Sequence, residues 1–246
     1  MRIDRLLQVN DFGSKSDRKH LFQRKIVTVD QRVITDGSIN VDPGLQIIKV
    51  GNHLITGPQE YYWMMNKPAG YVTANKDITK PVVFDLLQAQ DRHPDLYSLG
   101  RLDRFTEGLL ILTTNGPLSR RLLQPHQHVA KTYAVEVNGF LGYDQVQAFA
   151  QGIVIDQSYQ CQPAQLQIIQ AGSSASRAQV TLHEGKFHQV KKMFLSLGVK
   201  VTQLKRLSFA GIDLDPDLAP GQYRVLKADE LALIKAFLGP QKPVGK

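Results

Sequence analysis

The stretch Leu99-Gly-Arg-Leu-Asp-Arg-Phe-Thr-Glu-Gly-Leu-Leu-Ile-Leu112 decides how this chain is read. From Gly108 to Thr114 it is almost unbroken apolar sequence closed by Asn115-Gly116, the pattern of a mostly buried strand ending in a turn. Directly before that strand, Asp103 sits in a loop bounded by Gly100 and Gly108, so a rigid element would anchor its carboxylate. Arg101, Arg104 and Glu107 supply nearby charge, and Thr106 can hydrogen-bond within the turn. By local chemistry alone, Asp103 is either a reacting group or a structural salt-bridge partner.

Working outward, Tyr61 to Met65 reads as a strand entering the turn Asn66-Lys-Pro-Ala-Gly70, and Pro117 opens a helix through Leu122 and Leu123. Lys131 to Val137 alternates, with Tyr133, Val135 and Val137 on one face. Further strands are expected near Leu166 to Ile169, Ala178 to Leu182 and Tyr223 to Leu226. Helices are expected near Tyr143 to Gln151, His188 to Leu197 and Ala228 to Leu238. Several strands follow one another too closely for a parallel crossover, so the fold class is α+β with a mixed, largely antiparallel sheet. In the helix at 188–197, Val190, Met193, Phe194 and Leu197 form a core stripe, which makes Met193 a packing residue.

The first fifty residues read as a separate small unit. Ile3, Leu6 and Leu7 share a helical face; Ser14 and Ser16 are candidate caps for a helix over Asp17 to Lys25 that turns Leu21 and Phe22 inward and leaves Arg18 and Lys19 outside. Ile26 to Ile34 reads as strands around a turn, and Asp42-Pro-Gly44 introduces a strand over Leu45 to Val50. The expected organisation is a unit over 1–51, a Gly- and Pro-containing linker over 52–60, a larger domain over 61–240 and a tail over 241–246.

Composition narrows the partner. Thirty basic residues against 22 acidic ones give a net charge of +8, and His183 to Arg206 concentrates six of those cations against the single acid Glu184. A phosphate backbone is the partner such charge attracts, although a solvated helix face would look the same. Cys161 is the only cysteine, which excludes an internal disulfide framework and a thiolate-rich zinc site. No apolar run is long enough to span a membrane and the N-terminus lacks a signal-peptide core, so a cytoplasmic protein with no membrane contact is expected.

The pattern Gly-Arg-Leu-Asp-x-x-Thr-x-Gly-Leu at 100–109 resembles the signature of RNA pseudouridine synthases of the RsuA type. The similarity continues in order through Asn66-Lys-Pro-x-Gly70, Lys131-Thr-Tyr133, Glu184-Gly-Lys-Phe-His-Gln-Val-Lys-Lys-Met193 and Leu218-Ala-Pro-Gly-Gln-Tyr-Arg224. The N-terminal unit resembles the RNA-binding module of ribosomal protein S-four type, the alpha-L motif, through Arg2, Asp4, Leu7, the Ser-containing turn and the Val-x-Val strand. It departs at Lys25 and at Asp30-Gln31, where glycines and an Asn-Gly-like turn are usual.

The resemblance implies catalysis by Asp103, with Tyr133 packing on the target base and Lys191 paired with the aspartate. Arg101 would fill the gap left by the extruded base, and Arg18, Lys19, Lys67, Lys186, His188 and Lys192 are expected to contact RNA. The implied reaction breaks the uracil–ribose C–N bond, turns the base and forms a C–C bond, so no cofactor, nucleotide or metal is expected. An aromatic platform at Tyr133 would replace stacking lost on flipping, worth on the order of 1–3 kcal/mol; strand alternation alone would leave it an ordinary strand tyrosine. The expected substrate is 16S ribosomal RNA or a small-subunit assembly intermediate, acted on by a monomer. A 23S target, or a noncatalytic ribosome-assembly protein, is the alternative; only the second would make Asp103, Tyr133 and Lys191 unnecessary together.

Overall fold

The computed structural model describes residues 1–238. In its first helix, α1 (Ile3–Val9), Ile3, Leu6 and Leu7 face inward at helical spacing. The second, α2 (Lys15–Gln23), begins where Ser14 and Asp17 each accept the other's backbone N–H, at 3.3 and 2.8 Å. Because Ser14 rather than Ser16 caps it, the helix starts at Lys15; it buries Phe22 and leaves Leu21 only half-buried.

Four short strands follow. β1 (Val27–Val29) and β2 (Arg32–Val33) are joined by Asp30 and Gln31, both left-handed at φ 47° and 68°, the backbone an Asn-Gly turn adopts with less strain. β3 (Ile48–Val50) and β4 (His53–Ile55) complete a sheet in the order β2-β1-β3-β4. The expected linker over 52–60 is therefore too long. Gly51, at φ +58°, turns the chain back onto β3, and Ile55 is buried, so the connecting segment begins only after it.

The remaining elements build one nine-stranded sheet and its covering helices. In chain order they are β5 (Tyr62–Lys67), β6 (Tyr97–Leu99), β7 (Glu107–Thr113), α3 (Gly116–Leu122), β8 (Lys131–Val137), α4 (Tyr143–Gln151), the small hairpin β9 (Val154–Ile155) and β10 (Tyr159–Gln160), β11 (Gln165–Gln170), β12 (Ser176–Leu182), α5 (Gln189–Ser196), β13 (Val201–Phe209), β14 (Ile212–Asp213), β15 (Tyr223–Val225) and α6 (Ala228–Lys235). The sheet runs β11-β12-β8-β13-β7-β5-β15, with β6 on β7 and β14 on β13. Every pairing is antiparallel except β7 with β13, which makes the α+β sheet mixed and largely antiparallel, as expected. The end of the large domain and the tail, 239–246, lie outside the described residues.

Alternation along β5 divides the core. Trp63 and Met65 join Tyr133, Phe149, Met193 and Phe194 on one face; Tyr62 and Met64 join Leu109, Ile111, Phe209 and Ile234 on the other. The strand β7 has one edge shared between two neighbours. Glu107 and Gly108 pair with β13, whereas Ile111 to Thr113 pair with β6. The Asp103 loop leaves the sheet at that changeover.

The first fifty-five residues have their own apolar cluster and are tied to the sheet by polar contacts. The Tyr62 hydroxyl donates to the buried Asp42 carboxylate, and Asn115 donates from Nδ2 to both, at 2.9 Å to Tyr62 and 3.1 Å to Asp42. Burial first, then the Asp42 charge, pushes the Tyr62 hydroxyl far above its usual pKa, so it remains a donor. Farther along, Lys235 of α6 donates to Asp30 at 2.9 Å.

Candidate active site

The two oxygens of Asp103 face two different bases. Lys191 Nζ donates to Oδ2 at 2.8 Å, and His188 Nε2 lies 3.4 Å from Oδ1. With 27% of its side chain exposed, the carboxylate is held and still reachable. Lys191 projects from the first turn of α5, whose other faces bury Val190, Met193 and Phe194 and so fix the helix against the sheet. The loop before α5 is built around Gln189, which accepts from the Lys186 N–H at 2.9 Å and donates to Glu184 at 2.6 Å. Glu184 also accepts from the Tyr159 hydroxyl at 2.7 Å, which pushes that phenol up to about 12.

Behind Asp103 the loop is clamped by residues far away in sequence. Thr73 Oγ1 donates to the Leu102 carbonyl at 2.9 Å and accepts the Leu102 N–H at 3.2 Å; Gly70 N–H donates to the Arg104 carbonyl at 2.8 Å, and Arg104 Nε returns a bond to Gly70 at 3.0 Å. Thr106 enters the turn through its backbone N–H, which donates to the backbone carbonyl of Asp103 at 3.1 Å; its buried hydroxyl has no hydrogen bond among the described residues.

Lys67 corrects one expectation. It has no accessible surface and cannot meet an RNA phosphate; its ammonium spends all three protons on the carbonyls of Pro68, Arg104 and Thr106, at 3.0, 3.1 and 2.8 Å. Burial lowers its pKa to about 8, against the opposing pull of Glu107 and Asp103. The Asn-Lys-Pro turn is thus a buried pin under the Asp103 loop. Replacing Lys67 with Met removes the pin and strands buried carbonyls, an expected net loss of about 2 kcal/mol. A melting temperature within a degree of the parent chain would show that the carbonyls find other partners.

Arg206 was hidden in the sequence within a run of basic residues. On β13 it is fully buried: Nε donates to the Leu109 carbonyl at 2.8 Å, the guanidinium lies 5.1 Å from the Phe209 ring centre, and Tyr133 supports its charge. Tyr133 itself is only 9% exposed and packs in the cluster that also contains Leu102 and Val190, the neighbours of Asp103 and Lys191. Buried lysine and arginine thus form the underside of the site.

The rim carries aromatic rings under cations. Phe187, exposed and stacked on His188 at 3.8 Å, has Lys192 Nζ 5.4 Å from its centre; Arg104 lies 5.1 Å from the exposed Phe105 ring. Lys192 also donates to Asp156 at 2.5 Å, so its charge is already paired. Lys186 lies over Tyr159 at 4.6 Å, and Arg101 is exposed at the start of the Asp103 loop. Arg18 and Lys19 are elsewhere, on α2; Arg18 donates to the Gly13 carbonyl at 2.5 Å and Lys19 is exposed. Two recessed cavities, of about 460 and 590 Å³, do not include Asp103. The Asp103 carboxylate is partly open to solvent.

A family model described as RNA pseudouridylate synthase matches residues 61–196, the segment that contains Asp103, Tyr133, His188 and Lys191. The chain is 37% identical over 234 residues to an uncharacterized RNA pseudouridine synthase, YtzG, of Bacillus subtilis, covering 95% of this chain and 98% of that one. It is 36% identical over 239 residues to ribosomal small subunit pseudouridine synthase A of Yersinia pestis, covering 96% and 99%. The corresponding protein of Pseudomonas aeruginosa is 37% identical over 235 residues, covering 95% and 100%. A crystal structure of a pseudouridylate synthase superposes with a TM-score of 0.66 at 30% identity, covering 95% of this chain and 99% of that chain. Among the described residues, no helix is long and apolar enough to cross a membrane.

Proposed function

The chain belongs to the RNA pseudouridylate synthase family, and from that premise we propose that it converts one uridine of small-subunit (16S) ribosomal RNA to pseudouridine through Asp103. The reading is carried by the Asp103 carboxylate, held by Lys191 at 2.8 Å within the Gly100–Leu109 pattern. The small-subunit name borne by several relatives supports the choice of RNA.

In the reaction, the uridine leaves its stack, and Tyr133 meets the flipped base at the edge of the core. Asp103 acts on the ribose while the N1–C1′ bond breaks; the uracil turns, C5 bonds to C1′, the C5 proton departs and N1 takes up a proton. The atoms of the nucleotide are unchanged in number, so no redox partner or phosphoryl donor enters. Arg101, Lys186 and Lys192 line the approach to Asp103 and engage the strand, and the first fifty-five residues, with Arg18 and Lys19 on α2, serve as a second RNA-binding unit of the alpha-L type.

The decisive experiment maps pseudouridines in ribosomal RNA from cells with and without the protein, using chemistry specific to that base because the isomer has the mass of uridine. One 16S position should lose its modification and regain it when the protein is added back. Loss confined to 23S RNA would overturn the assignment.

A further inference from the structure

We propose that His188 is a positioning residue for the isomerisation, presenting an imidazole N–H to Oδ1 of Asp103 while Lys191 holds Oδ2. The inference rests on Asp103 being the reacting carboxylate and adds a second handle to it.

The backbone at His188 carries the first observation. It sits at φ 55°, ψ 27°, in the left-handed region, at the residue that caps the N-terminus of α5. Glycine adopts that backbone freely, and asparagine both tolerates it and can cap exposed helix N–H groups. Histidine enters this region less freely than glycine, and here its side chain makes no capping hydrogen bond. Other non-glycine residues of the chain adopt this region too, His128 and Ala210 among them, so the backbone marks the position and the ring contacts carry the inference.

The ring supplies the second observation. Its Nε2 is 3.4 Å from Asp103 Oδ1, and its plane is set by Phe187, stacked on it at 3.8 Å with the rings 19° apart. Lys192 lies over the far ring, and Gln189, bonded to Glu184 and to the Lys186 N–H, holds the backbone on either side. A segment built this tightly delivers one imidazole edge to one oxygen. The contact is longer than a finished hydrogen bond, as catalytic contacts often are before substrate tightens them.

A second donor matters because a carboxylate gripped at one oxygen still turns about its Cβ–Cγ bond. Lys191 is 32% exposed, so an RNA phosphate can compete for it. Gripped at both oxygens, Asp103 keeps its plane when the polyanion arrives.

His188→Gly tests the idea at a position whose backbone glycine favours. Single-turnover pseudouridine formation on bound RNA should fall about tenfold or more, with half-saturating RNA unchanged within about twofold. Added imidazole should recover part of the rate in this variant and none in Lys191→Ala. His188→Asn, also at ease in the left-handed region but too short to reach, should show the same loss and guards against a folding defect in the glycine variant. An unchanged rate, a loss confined to RNA affinity, or equal imidazole effects in His188→Gly and Lys191→Ala would overturn the proposal. So would a failure of imidazole to raise the rate at all. The parent reading fails separately: an active Asp103→Asn sinks it whatever His188 does, whereas an inactive Asp103→Asn beside a fully active His188→Gly sinks only the role of His188.

Discussion

Asp103→Asn should abolish pseudouridine formation, by at least about a thousandfold in single turnover, and leave RNA capture intact. Asparagine has nearly the shape of aspartate, and its one oxygen can still accept the 2.8 Å bond from Lys191, so the loop need not move. What disappears is the negative charge and the second acceptor oxygen, the one facing His188. Electrostatics fixes the sign for binding: removing an anion from a rim that carries Lys186, Lys191 and Lys192 makes the surface more positive, so affinity should stay equal or rise slightly. Fluorescence anisotropy with labelled RNA and pseudouridine-specific chemistry on the same preparation separate the two quantities. A tenfold loss of affinity, or residual turnover of even a few per cent, would remove Asp103 from the chemistry.

Gly108→Ala should be the most damaging conservative change to the fold. At φ +97° the backbone is one that alanine rarely adopts, and an added Cβ would meet the Arg206 carbonyl oxygen at 2.3 Å and its nitrogen at 2.8 Å. Both are backbone atoms of β13 in the one parallel strand pairing of the large sheet, so nothing can rotate aside. The expected loss is roughly 3 kcal/mol or more, or roughly 6–12 °C in melting temperature for a chain of this size. Gly70→Ala is the control: it too has a positive φ, of +92°, but nothing lies within 4 Å of the added carbon, so only backbone strain remains. Equal losses in the two variants would show that strain, not the approach of β13, sets the requirement at 108.

Much of the architecture was legible because the chain punctuates itself. The apolar run after Gly108 became β7, and the alternation of Tyr133, Val135 and Val137 became β8. Tyr143–Gln151 fell where the sequence put its helix. The central strand β13 was not legible. Val201 to Phe209 interrupts its alternation with two bulges against β8 and carries Lys205 and Arg206 inside it, so it read as the end of a basic surface run. Arg206 is nevertheless fully buried, because the Leu109 carbonyl, the Phe209 face and Tyr133 replace part of its water. Lys67 failed for the same reason: charge in a turn suggests exposure, and only the converging carbonyls of 68, 104 and 106 reveal a socket. The pairing of Asp103 with Lys191 spans 88 residues and came from the family pattern, not from spacing. The approach of His188 to the other oxygen depends on a left-handed backbone that no residue pattern announces.

The buried meeting of Asp42 with Tyr62 and Asn115, backed by Asp30 with Lys235, gives the N-terminal unit a fixed seat instead of a swivel. Were that unit to bind RNA as proposed, the molecule would work as a gauge. An RNA feature gripped at one end would set which nucleotide can arrive at the other, and a uridine one step out of place would be refused by distance before any base is read. Target choice would then be retuned by loosening the seat at Asp42, with every residue around Asp103 left as it is.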